Sequence, residues 1–276
     1  MLTENISQSA DITKILGLEL KKSDDGKLIF ALHEYMGKEP DTKFFYLSIK
    51  RVAEKFGIPV NVASFMCSDE ENGLERVKRA FYFSKVFATD VIGPAILSQH
   101  STVANNAGHS SHIFVVNGHI GMYKNESDGR LLYGKLESER DGLLRPTCGA
   151  INHVMSRFLG EEHSESVPDW DVDFIGKIEH SLAPYKQEFL HEYSKGKDEL
   201  DKISSGIKYL TTKNVEVQIK RLLQVLGHAD SNGNNAPKLI FGGVTINRYK
   251  YSDTAIMTQA YLLKDGNIFD LTKVPI

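Results

Sequence analysis

The sequence contains very little cysteine: Cys67 and Cys148 are the two cysteines in a chain of 276 residues. Two cysteines are too few for a disulfide scaffold, and they are not expected to form a bridge in a reducing compartment. The chain has no apolar run of membrane-spanning length, and its opening, "MLTENISQSADITK", lacks the basic and apolar regions of a signal peptide. These absences predict a cytoplasmic protein with no membrane partner.

A marked excess of one charge is also missing. The formal net charge is −3 and the basic residues form no block, so no nucleic-acid-binding surface is expected. The hydrophobic fraction of 41% and the charged fraction of 25% are ordinary for a globular protein with a sizeable core. The function classes that remain are those of a globular enzyme or a binding protein.

The first two thirds of the chain show a pattern of alternating helices and strands. The stretch "FFYLSIKRVAEKF" predicts a helix that ends at Gly57, and "IPVNVASFMC" predicts a buried strand after it. "LERVKRAFYFSKVFA" predicts a second helix, and "HIFVVNGHIGMYK" and "RLLYGKLES" predict two further strands. Strands that alternate with helices predict an α/β sheet.

The last third begins with helical patterns and ends with strands. Helical stretches are predicted at roughly 172–193 and 198–226. "KLIFGGVTINRY" and "TAIMTQAYLL" then predict strands, and Asp265-Gly266 predicts a hairpin turn into "NIFDL". We therefore expect an extra helical layer near the C-terminus of an α/β fold.

The two cysteines fall at positions where α/β folds build functional sites. Cys67 ends a predicted strand, at the sheet edge where ligands gather. Thr147 is a predicted N-cap, which places Cys148 in a first helical turn, where the helix dipole favours a thiolate. A thiolate is a nucleophile or a metal ligand, whereas the alternative for Cys148 is a small buried apolar residue.

Two thiolates and one imidazole form a donor set that suits zinc. The candidate histidines are His109, His112 and His119, and the last two face opposite sides of one predicted strand. Spacing alone leaves the choice among them open. Asp69, two residues after Cys67, is a second metal-facing candidate, with capping of a helix that begins near Glu70 as the alternative.

Four short motifs in a fixed order resemble the limiting-CO2-inducible B/C (LCIB-type) family, whose members are relatives of β-carbonic anhydrases. They are "CSDEE", "VVNGHIGMYK", "GKLESERDGLLRPTCGA" and "KLIFGGVTIN". The resemblance runs roughly from Pro59 to Leu159, with a weaker match from Gly242 to Asn247. It implies a central Rossmann-like zinc domain with flanking helical segments, a homodimer, and interconversion of CO2 and bicarbonate.

We expect the chain to be divided into four parts. They are an N-terminal helical segment (1–50), a central α/β zinc-binding core (51–160), a helical segment (161–235), and C-terminal strands that complete the sheet (236–276).

Carried over by position, the resemblance implies that Cys67, His119 and Cys148 are the zinc ligands and that Asp69 is the carboxylate beside the metal. Ordinary β-carbonic anhydrases pair this carboxylate with an arginine in Cys-x-Asp-x-Arg, but that place holds Glu71 here. Their His-x-x-Cys pattern is also absent, as in the LCIB-type branch. We assign Arg79 as the catalytic arginine, and the alternatives are Arg76, Arg140 and Arg145.

The predicted function is that of a zinc-dependent carbonic anhydrase-type lyase. Zinc with three protein ligands keeps a fourth position for water, lowers the pKa of that water to about 7, and so supplies a hydroxide that attacks CO2. The first alternative is a non-catalytic zinc-stabilised binding or scaffold protein in which Asp69 closes the fourth position. The second is a thiol enzyme with Cys148 as nucleophile and His119 or His153 as base.

Overall fold

The structure is a computed structural model that describes residues 42–67, 83, 85–91, 112–137, 141–161, 169–230, 236–248 and 253–273. In chain order, its elements are α1 (Thr42–Lys55), β1 (Asn61–Cys67), β2 (Lys85–Val91), β3 (Ile113–Lys124), β4 (Leu131–Tyr133), β5 (Lys135–Glu137), β6 (Leu144–Pro146), α2 (Gly149–Leu159), α3 (Asp169–Leu182), α4 (Lys186–Ser194), α5 (Glu199–Asp230), β7 (Lys238–Arg248), β8 (Thr254–Lys264) and β9 (Asn267–Asp270). Short 3₁₀ turns cover Ala183–Tyr185 and Leu271–Lys273.

A mixed sheet forms the centre of the described structure, with the strand order β2-β1-β3-β7-β8-β9 and with β4 paired to the end of β3. The first four strands in this order run parallel, and β8 and β9 add an antiparallel edge. The predicted α/β class is confirmed. The C-terminal strands join the same sheet as β1 and β3, because β7 pairs with β3 along most of its length.

Helices cover both faces of this sheet. Successive apolar side chains of β3 point to opposite faces, so both faces are apolar. Ile113 and Val115 pack on the side of α1, whereas Phe114 and Val116 pack on the side of α5. Burial of a large aliphatic or aromatic side chain contributes about 1.5–3 kcal/mol. The two apolar clusters therefore fix which side chains of β3 face each helix layer.

A third apolar cluster lies where the helices α2 to α5 meet at the two cysteines. Its buried members include Ile151, Phe158, Ile178, Leu182, Phe189 and Ile207. This is the predicted extra helical layer. Among the described helices, none combines the length and the apolar character that crossing a bilayer requires.

Three predictions of secondary structure were wrong in part. The helical stretch predicted at roughly 172–193 is divided into α3 and α4 by the 3₁₀ turn at Ala183–Tyr185. The helix predicted over "LERVKRAFYFSKVFA" ends in residues that form β2 instead, a parallel partner of β1; most of its earlier part lies outside the described residues. The strand predicted over "RLLYGKLES" is divided at Gly134, whose φ is +103°. The first half pairs with β3 and the second half with β6, because the chain turns at this glycine.

Candidate metal centre

Three elements that are distant in sequence bring Cys67, His119 and Cys148 together. One ligand atom of each residue lies within 4.8 Å of the others. Cys67 is 5% exposed, His119 is fully buried and Cys148 is 1% exposed. The structure therefore assembles the donor set that the sequence predicted: two thiols and one imidazole.

The lengths of the parallel strands explain how Cys67 and His119 meet. The pairing of β1 with β3 ends at Met66↔Asn117, and β1 ends at the next residue, Cys67. β3 continues to Lys124 and keeps its pairing with β7. His119 thus lies just past the end of β1, at the carboxyl edge of the parallel strands, where open α/β sheets bind ligands.

His112 lies at the opposite end of the same strands. Its backbone amide donates a hydrogen bond to the carbonyl of Asn61, the first residue of β1, at 3.1 Å. It is therefore remote from the cysteines, and His119 is the histidine that the structure places beside them. His109 lies outside the described residues.

Cys148 reaches the site in a strained backbone conformation. It precedes α2 with φ 53° and ψ 76°, in the left-handed region that residues other than glycine rarely adopt. Such a conformation costs about 1–3 kcal/mol and is typical of functional sites. The Cys148 carbonyl accepts hydrogen bonds from the amides of Ile151 and Asn152, at 3.0 and 3.2 Å.

The prediction that Thr147 is the N-cap was wrong, because Cys148 occupies that position. The Thr147 hydroxyl instead accepts a hydrogen bond from the Gly121 amide of β3 at 2.6 Å, and the Thr147 amide donates to the Gly134 carbonyl at 3.0 Å. These bonds tie the residue before Cys148 to the central sheet. Cys148 keeps its place at the start of a helix, where the backbone amides favour a thiolate.

Gly121 permits this close approach. A Cβ atom at this position would lie 2.5 Å from the Lys135 carbonyl oxygen and 2.6 Å from the Thr147 methyl carbon. Because both distances are far below van der Waals contact, the β5–β6 hairpin can pack on β3 only if residue 121 has no side chain.

Two buried polar pairs link β3 to β7 beside the cluster. The Asn117 amide donates a hydrogen bond to the Thr245 hydroxyl at 2.6 Å, and His119 Nδ1 lies 3.1 Å from Asn247 Oδ1. All four side chains are at most 2% exposed. Sequence reasoning missed Asn117, Thr245 and Asn247, although their polar side chains at alternate positions of two apolar stretches were a usable signal.

The donor set fits a zinc ion. Zinc binds thiolate sulfur at about 2.3 Å and imidazole nitrogen at about 2.0–2.1 Å, in a tetrahedral arrangement. The two cysteines are not joined in a disulfide, so both sulfurs are available in the required chemical form. Cys67, His119 and Cys148 could hold a metal ion and leave one coordination position for a fourth ligand.

The other predicted site residues are only partly within the described structure. Asp69, Arg79, Arg76 and Arg140 lie outside it. Arg145 is exposed on β6, where its guanidinium donates a hydrogen bond to the Asp141 carboxylate at 2.6 Å.

His153, a candidate base in the thiol-enzyme hypothesis, lies on α2. Its Nε2 accepts a hydrogen bond from Arg157 Nε at 3.5 Å. It is not part of the cluster formed by the two cysteines and His119.

Comparison with solved structures gives several matches over most of the chain. The crystal structure of PtLCIB4, a homolog of the limiting CO2-inducible protein LCIB, is 16% identical, with a TM-score of 0.63 over 88% of this chain and 98% of the other. The crystal structure of LCIB is 13% identical, with a TM-score of 0.57 over 86% and 95% of the two chains. The fold is that of the LCIB proteins. The resemblance predicted from the four motifs is confirmed at the level of the fold.

A β-carbonic anhydrase is a weaker structural match. The β-carbonic anhydrase CafA of the fungal pathogen Aspergillus fumigatus is 14% identical and covers 71% of this chain and 75% of its own, with a TM-score of 0.43. That score is too low to establish a shared fold. No protein-family model and no curated protein matches the sequence.

Proposed function

We propose that the protein is a zinc-dependent carbonic anhydrase-type lyase that interconverts CO2 and bicarbonate. The observation that carries this proposal is the convergence of two thiols and one imidazole within 4.8 Å. The LCIB fold around this cluster supports it, because the solved relatives are described as limiting CO2-inducible proteins or their homologs.

In this proposal, Cys67, His119 and Cys148 hold the metal and leave its fourth position for a small ligand. Bound zinc would lower the pKa of a coordinated water to about 7 and so supply a nucleophile for CO2 at neutral pH. The apolar side chains of the third cluster surround the cysteines and exclude bulk water from their side of the site. Exclusion of water strengthens the electrostatic interactions of the charged groups within.

Asp69 and Arg79 complete the proposed catalytic set. The Asp69 carboxylate would accept a hydrogen bond from the attacking water, or would bind the metal in place of that water. The Arg79 guanidinium pairs with this carboxylate and competes with the metal for it. The role of Asp69 rests on the resemblance to the LCIB-type family, and that of Arg79 on its closeness to Asp69 in the sequence.

A non-catalytic zinc-stabilised scaffold protein is the second candidate function. It is favoured by the burial of the three ligands, because structural zinc sites are closed to solvent and have four protein ligands. An exchangeable water on the zinc would support the enzyme, and its absence would support the scaffold protein.

We further propose a homodimer in the cytoplasm, with CO2 and bicarbonate as the small-molecule partners. The homodimer follows from the family resemblance. The reducing cytoplasm is a compartment in which two neighbouring thiols remain available to a metal.

Metal analysis combined with a CO2 hydration assay tests the proposed function. The purified protein should contain about one zinc per chain, and Cys67→Ala, His119→Ala and Cys148→Ala should each lose it. His112→Ala is the matched control, since His112 lies at the opposite end of β3 and this variant should keep its zinc.

Three results would overturn parts of this proposal. A folded wild-type protein without metal, together with rapid alkylation of Cys148, would support the thiol enzyme. Zinc retained in His119→Ala but lost in His112→Ala would show that the histidine ligand is wrong. A zinc-loaded protein without hydration activity would support the scaffold protein.

A further inference from the structure

The two polar pairs between β3 and β7 lie on the face of the sheet that α1 covers. Asn117 and His119 alternate along β3 with residues of the α5 face. Each contacts a β7 side chain two residues beyond the residue that it pairs with in the sheet. A polar side chain buried in such an apolar layer costs free energy unless it forms a hydrogen bond. The first pair, Asn117 with Thr245, contains no candidate metal ligand. The second pair contains one, His119.

The chemistry of the second pair determines which imidazole nitrogen carries the proton. An amide oxygen can only accept a hydrogen bond, so contact between Asn247 Oδ1 and His119 Nδ1 requires a proton on Nδ1. The neutral ring then has its lone pair on Nε2. If the Asn247 amide were reversed, its nitrogen would donate to Nδ1 and the proton would move to Nε2.

We propose that Asn247 is a positioning residue that holds His119 in the tautomer with hydrogen on Nδ1, so that Nε2 is the metal-binding atom. Metal-binding histidines are commonly fixed in this way by an acceptor on the second ring nitrogen, and loss of that acceptor typically weakens metal binding 10–100-fold. The inference rests on the metal site of the proposed function. It assigns a role to a residue 128 positions away in sequence from the ligand that it orients.

Asn247 offers a conservative replacement that separates positioning from packing. Its Nδ2 has no hydrogen-bond partner among the described residues. Asn247→Asp therefore keeps an acceptor oxygen beside Nδ1 and removes no other hydrogen bond of the side chain there. Asn247→Leu has the same number and branching of side-chain heavy atoms but offers no acceptor at all.

Zinc affinity, measured by competition with a chelator on the full chain, is the first test. Asn247→Leu should bind zinc about 10–100-fold more weakly than the wild type, and Asn247→Asp should bind within a few-fold of it. Thr245→Val is the matched control, because it removes the neighbouring polar pair on the same strand and keeps the contact between His119 and Asn247. Wild-type affinity in Asn247→Leu, or an equal loss in Thr245→Val, would overturn the proposal.

The second test is the ¹⁵N NMR spectrum of the His119 ring in the metal-free wild type, at about pH 8. We expect the proton on Nδ1, and a proton on Nε2 would overturn the proposal. This measurement decides the question even if Asn247→Leu does not fold. Failure of the wild type to bind zinc would refute the proposed function, whereas the tautomer is observed without any metal.

Discussion

At the scale of single residues, Gly121 makes the most exacting steric demand near the site. We expect Gly121→Ala to destabilise the protein by about 1–3 kcal/mol and to weaken metal binding, because the added methyl group would displace the β5–β6 hairpin and Thr147. Denaturant unfolding and zinc competition would measure the two effects.

Gly149→Ala provides the matched control for this substitution. Gly149 follows Cys148 directly, but a Cβ atom there meets nothing within 4 Å. This variant should stay within about 0.5 kcal/mol of the wild type. Equal losses in the two variants would show that the close contact at Gly121 is unimportant.

Asp69 is the carboxylate that the family resemblance places beside the metal. Asp69→Asn should retain zinc, because the three proposed ligands are unchanged, but should lose about 10²–10⁴-fold in hydration rate, the usual loss for a positioned acid–base group. The measurement is hydration rate against pH, from about pH 6 to about pH 9, with the zinc content of both proteins. An unchanged profile in an active enzyme would reduce Asp69 to a helix cap.

At the scale of secondary structure, strongly periodic segments were predictable and ambiguous ones were not. α1 agrees with prediction because its apolar spacing fits a helix, and β3 because its apolar residues are mostly β-branched or aromatic. Four of the seven residues of β2 are aromatic or β-branched, but their pattern also suits a helix face. They form a strand because they pair with β1, and this long-range pairing cannot be read from the local sequence.

The same limit applies to the residues around the site. A strand end, a helix start and a family resemblance were enough to predict Cys67, His119 and Cys148. The sequence marks Asn247 as a polar residue in an apolar strand, but it does not show which residue Asn247 contacts. Its place beside His119 depends on the parallel register of β3 with β7.

The start of β3 has a pH-sensitive group. Burial holds the pKa of His112 below its usual 6.5; a hydrogen bond to the Pro237 backbone opposes this shift, and the charge of Lys238 adds to it. Below about pH 6.5, His112 therefore binds a proton more readily in the unfolded chain than in the folded protein. The free energy of unfolding falls as the pH falls through this range.

We expect His112→Gln to lack the pH dependence of stability that His112 causes. Between about pH 7.5 and about pH 5.5, the stability of the wild type should fall more than that of the variant, as measured by urea unfolding at each pH. Parallel pH profiles for the two proteins would contradict the assignment to His112.

At the scale of the whole molecule, we expect a homodimer. Sedimentation velocity at micromolar concentration should give twice the mass of the chain, with no dependence on added zinc if the subunit contact and the metal site are separate. A monomer at every concentration tested would refute the dimer and leave the metal site unaffected.

The distribution of the three ligands along the chain has a consequence for the order of folding. The ligands are 52 and 29 residues apart, and their convergence needs β1, β3 and the β5–β6 hairpin all in place. Zinc-finger ligands, close together in sequence, let the metal induce folding, whereas long-range parallel pairing of this kind forms slowly and before any site exists. A metal that binds only the completed sheet would slow unfolding and leave the refolding rate unchanged, and so would extend the lifetime of the native state without hastening its formation.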